Sequence, residues 1–161
     1  MSFFGDDEPP EPHRPFEEWH GPPKTEFGVT VAVDLLVEAV PDAALRISAI
    51  RAYSTGCEIA IRALMKGDFH AFAPGPRVGL VWPDGTKVIA EGRGERTDPP
   101  AGPVLLGYRT PHRARDPTPR VYWLWPLPPP GTLRLVADWP AAGIPETSID
   151  FDTRALHDAG K

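Results

Sequence analysis

From Gly28 onward, apolar residues recur at every second position in short runs punctuated by turn-forming residues. Val29, Val31, Val33, Leu35 and Val37 alternate with Thr30, Ala32, Asp34, Leu36 and Glu38. Period two is the signature of a strand with one buried face, because successive side chains point to opposite sides of the pleat. A helix through residues 33–40, ended by Pro41, is the rival; the apolar spacing of two rather than three or four decides against it. Residues 45–53 and 57–65 alternate in the same way around Ser54-Thr55-Gly56, which predicts an antiparallel hairpin. Residues 77–82 and 86–91 flank Pro83-Asp84-Gly85, where proline presets φ and glycine supplies a positive φ later in the turn.

Further strands are predicted over residues 104–108, 121–125, 132–139 and 148–152, and one helical turn near the end, over 153–161. About nine short strands with no long helical segment between them predict an all-β domain. The leading expectation is an antiparallel β-sandwich of immunoglobulin-like topology over residues 28–152, between a tail of residues 1–27 and a short C-terminal tail of 153–161. Three tryptophans directly precede proline, at Trp82-Pro83, Trp125-Pro126 and Trp139-Pro140. Proline cannot donate to a central ladder, so each pair marks a place where a strand leaves the sheet. This register buries Trp82, Leu124 and Leu135.

Charge changes the picture at the N-terminus only. Residues 1–27 hold seven acids, two bases and six prolines, and therefore the whole formal charge of −5. Such a segment has little to bury and is expected to be disordered or extended; Phe16 and Trp19 stand out in it. A body without net charge beside an acidic tail disfavours nucleic acid as a partner. The loop bearing Arg109, His112, Arg113 and Arg115, followed by Arg120, is expected to be a solvated loop that can contact that tail. A single cysteine, no apolar leader and no run of about 20 apolar residues predict a soluble, cytoplasmic protein without a membrane span.

No residue set carries recognisable chemistry. None of His13, His20, His70, His112 and His157 stands at zinc-ligand spacing from another histidine or from Cys57, so neither a metal nor a cofactor is expected. Cys57 lies next to Glu58, which opposes thiolate formation, and is expected to be a small core residue. Glu146, Ser148, Asp150 and Asp152 share one strand face, where alternating acids discourage edge-to-edge pairing; calcium would need more oxygen ligands than they offer. There is no phosphate-cradling loop and no nucleophile elbow, and enzymatic function is not expected.

The run Tyr122-Trp123-Leu124-Trp125-Pro126-Leu127-Pro128-Pro129-Pro130-Gly131, then Asp138-Trp139-Pro140-Ala141-Ala142-Gly143-Ile144-Pro145-Glu146, resembles a C-terminal signature of small actinobacterial proteins of unknown function. Trp19-His20-Gly21-Pro22-Pro23 resembles their N-terminal segment. The resemblance implies a compact β domain and nothing catalytic. Two functions are then expected from different classes. One is a protein-interaction module whose tail offers Phe16 and Trp19 as anchors to a protein partner. The other is a small-ligand binding protein with a pocket of Trp82, Trp125 and Trp139 at one end of the sandwich.

Overall fold

The computed structural model describes residues 17–31, 34–66, 75–92, 94–107 and 119–160. Among these residues are ten strands: β1 (Val29–Val31), β2 (Leu35–Val40), β3 (Ala43–Ala52), β4 (Cys57–Met65), β5 (Arg77–Val81), β6 (Lys87–Gly92), β7 (Val104–Gly107), β8 (Arg120–Trp125), β9 (Thr132–Trp139) and β10 (Ile144–Asp152). A short helix, α1 (Arg154–Ala159), follows. The all-β expectation holds. The strands form one sheet in the order β1-β3-β4-β8-β7-β6-β5-β9-β10, with β2 also on β3, curled into a half-barrel that brings β10 against β2.

The strand expected from Gly28 is two strands. Val31 lies opposite Ile50 and Leu35 opposite Ile47, so β1 and β2 follow one another along the same side of β3. β10 begins at Ile144, earlier than the pattern suggests. Pro145 and the register shift between Ile144 and Thr147 obscure the alternation there, and proline is tolerated because β10 is an edge strand.

Among the described residues, every neighbouring pair is antiparallel except β6 with β7. β6 also changes partners along its length: Lys87, Val88 and Ile89 pair with β5, whereas Ala90, Glu91 and Gly92 pair with β7. This handover turns one sheet into two arms that share a core. Leu45, Ile47, Ile59, Ile61 and Leu124 come from one arm and Leu80, Leu133, Leu135 and Trp139 from the other. Trp82, Leu124 and Leu135 are buried as the register requires. The tight β5–β6 turn has Gly85 at φ +92°, with the Gly85 amide donating to the Trp82 carbonyl.

The C-terminal segment is not a tail. Leu156 of α1 enters the core, and Thr153 is fully buried, its amide donating to the Gly131 carbonyl at 2.9 Å. The expected boundary after residue 152 moves to include α1, because its Leu156 is part of the main core. The N-terminal boundary at residue 28 shifts as well, because Trp19 packs into a cluster on the body.

Candidate functional site

Strand β8 carries apolar residues on both faces, and both are buried. Tyr122 and Leu124 face the main core, while Trp123 points outward into a second cluster with Trp19, Tyr53, Val104 and Leu106. A continuous apolar run marks a strand covered on both sides, and the cover here is the segment around Trp19. Trp19 is 6% exposed. The Trp123 indole donates to the Glu18 carbonyl at 3.2 Å, and Tyr53 meets Trp123 edge-on, with ring centroids 5.8 Å apart. Farther along, Glu26 accepts hydrogen bonds from the Ser54 amide and hydroxyl, and the Arg51 guanidinium donates to the Phe27 carbonyl. Residues 17–27 are thus strapped to the body.

That placement corrects Trp19 as a partner anchor: its ring already fills a socket in its own domain. Phe16 lies outside the described residues. The expected tryptophan pocket is corrected too. Arg77 pairs with Asp138 and Val81 with Arg134, so Trp82 follows β5 at one end of β9, and Trp139 stands at the other. The six intervening steps amount to about 20 Å at ~3.4 Å per residue. Both rings belong to the main core, whereas Trp125 packs on the outer cluster. The three Trp-Pro pairs do end strands, as expected, but at different ends, because antiparallel neighbours finish on opposite sides.

Cys57 is completely buried in the main core, its thiol pushed up to about 12 by burial and then by the Glu58 charge. No group of three metal-type ligands occurs among the described residues, and none of their helices is long and apolar enough to cross a membrane. His13, His70, His112 and the Arg109–Arg115 part of the basic loop lie outside the described residues.

An open concavity among the described residues lies on the outer face of β6, β5, β9 and β10. It encloses about 550 Å3. Three rows of side chains cross it. Ile89, Gly79, Val136 and Ser148 stand side by side in the middle row; Lys87, Val81, Arg134 and Asp150 form the next, and Arg77 and Asp138 stand on the other side. Ile89 is 79% exposed, unusual for a large apolar residue. Gly79 leaves the floor hollow. A Cβ there would sit 3.0 Å from the Val88 carbonyl, so the backbone itself crowds any larger residue.

Two charged forks flank the hollow. Arg77 Nε donates to Asp138 Oδ1 at 2.8 Å, with a second bond to Oδ2; Arg134 donates to Asp150 at 2.7 and 3.2 Å. These hydrogen bonds hold both carboxylates below the usual range. Such exposed pairs add little stability, but bidentate geometry fixes where the charges stand. No protein-family model matches the chain, and no curated protein or solved structure matches it either. The face must therefore be read from its own chemistry. Sequence reasoning saw Glu146, Ser148, Asp150 and Asp152 on one exposed face, and all four are exposed there. The rest of the face was missed because Gly79, Ile89 and Val136 come from three separate strands. The one local signal was Ile89, an apolar residue at an outward position of its alternation.

Proposed function

We propose that this protein is a non-enzymatic protein-interaction module whose contact surface is the outer face of β6, β5, β9 and β10. The supporting observation is the hollow at Gly79, walled by the exposed Ile89 and by Val136 between two fixed Arg–Asp forks. Apolar centre and charged rim are the anatomy of an interface. A small molecule is the weaker reading, since ligand pockets enclose most of their guest and this face is open. The two arms read as facing layers of a sandwich, supported by the β6 handover and the shared core; the parallel β6–β7 pair departs from two purely antiparallel immunoglobulin-type sheets.

The test is affinity capture of partners with the wild-type chain and with Ile89→Arg. Because Ile89 is exposed, the variant is expected to fold with an unchanged circular dichroism spectrum and to lose the captured protein. A protein captured equally by both would move the contact surface elsewhere.

A further inference from the structure

We propose that the partner of this face is a second copy of the chain, docked about a two-fold axis running parallel to β5 and β9 in the plane of the contact. The inference rests on the interaction-module reading above and specifies its partner.

The argument is register. A two-fold along the strands keeps each row facing itself but reverses its order, so the β6 column meets β10 of the second copy and the β5 column meets β9. In the middle row, Ile89-Gly79-Val136-Ser148 is then read against Ser148-Val136-Gly79-Ile89. Each large side chain meets a small one: Ile89 enters the space over Ser148, and Val136 enters the hollow over Gly79. In the next row, Lys87 meets Asp150 and the Val81 side chain meets the stem of Arg134. In the remaining row, Arg77 meets Asp138. Lys87, Asp150, Arg77 and Asp138 each face the opposite sign, whereas Arg134 faces the apolar Val81 and Glu146 on β10 turns toward the β6 column without a basic partner. The other in-plane axis, across the strands, sets Arg134 against Asp138 but brings Gly79 onto Gly79 and places Glu146 toward Asp150, leaving a void and a like-charge contact. Self-complementarity of one patch is what an isologous interface requires.

Size sets the strength. Four strands at about 4.8 Å and five residues at about 3.4 Å span roughly 300 Å2 per copy. A stable complex buries roughly 800 Å2 per partner. The contact is smaller than a stable complex uses, so the dimer is a weak one, populated only at high concentration.

Sedimentation equilibrium over about 10–1,000 µM tests it. The wild-type weight-average mass should rise from 17.6 kDa toward twice that value, and Ile89→Arg should hold it at the monomer. Two charge variants then fix the axis. Lys87→Glu alone faces Asp150, and Asp150→Lys alone faces Lys87, so each should self-associate at least about tenfold more weakly than wild type. Mixed in equal amounts they restore both opposite-sign contacts, and a heterodimer should form with near wild-type affinity. A wild-type chain that stays monomeric at 1 mM overturns the proposal. So does a mixture no tighter than either variant alone. If the chain stays monomeric while Ile89→Arg still abolishes capture of a different protein, the interaction-module reading stands and the self-association is wrong.

Discussion

Single residues here do two kinds of work. Trp19 closes the outer cluster by its ring volume alone, since its indole N–H has no hydrogen-bond partner among the described residues. Trp19→Ala should therefore cost about 3 kcal/mol in urea unfolding, in line with other buried aromatic truncations, while Trp19→Phe should keep much of that stability. Trp123 differs, because its N–H donates to the Glu18 carbonyl. Trp123→Phe should lower stability more than Trp19→Phe, by roughly the 1 kcal/mol of a lost hydrogen bond. Equal losses would mean that the Glu18 contact contributes nothing. Cys57 offers an independent check of the core. Completely buried, with its thiol raised to about 12, it should resist alkylation at pH 8 in the native state and react at an ordinary rate in denaturant. Gly56, at the neighbouring turn, is fixed by close approach: a Cβ would lie 2.4 Å from the Leu124 carbonyl and 2.6 Å from the Trp123 ring.

At the scale of elements, the alternating runs were legible because each of those strands buries one face only. β4 and β9 carry the boundaries the pattern predicts, and β3, β5 and β6 differ by a residue or two. Where the reading broke in β10, Pro145 and the register shift beside it had removed the period. The ladder also decides how the molecule meets acid. Asp138 and Asp150 on β9 and β10, Glu91 on β6 and Glu26 beside the β3–β4 turn have lowered pKa values, chiefly through hydrogen bonds from Arg77, Arg134, Arg96 and Ser54. A carboxylate with a depressed folded pKa contributes stability that is full above its unfolded value and lost as the pH falls through the folded one. Thermal midpoints should accordingly be flat from pH 7 to about 5 and fall below about 4.5. Because these groups are exposed, 1 M salt should flatten the fall. A midpoint that rises on acidification would reverse the assigned sign.

For the whole molecule, the distinction lies between what one strand knows and what several strands make together. The sequence by itself determined that the domain is all-β, where most strands and turns fall, that Trp82, Leu124 and Leu135 are inside, and that Cys57 is a core residue. Each follows from a short-range cause, the two-residue period of a pleated strand or the fixed dihedrals of proline and glycine. Tertiary structure alone decided that β6 passes from one arm to the other, that Trp19 packs into a buried cluster of its own domain and that Leu156 joins the main core. It also decided that Trp82 and Trp139 end up far apart although both precede proline, because pairing β5 antiparallel to β9 sends their ends in opposite directions. The open face arose the same way. Gly79, Ile89, Val136 and Ser148 are scattered over 70 positions of chain, and only the register of four strands sets them in one row, since alternation fixes the side a residue faces but not its neighbour across the ladder.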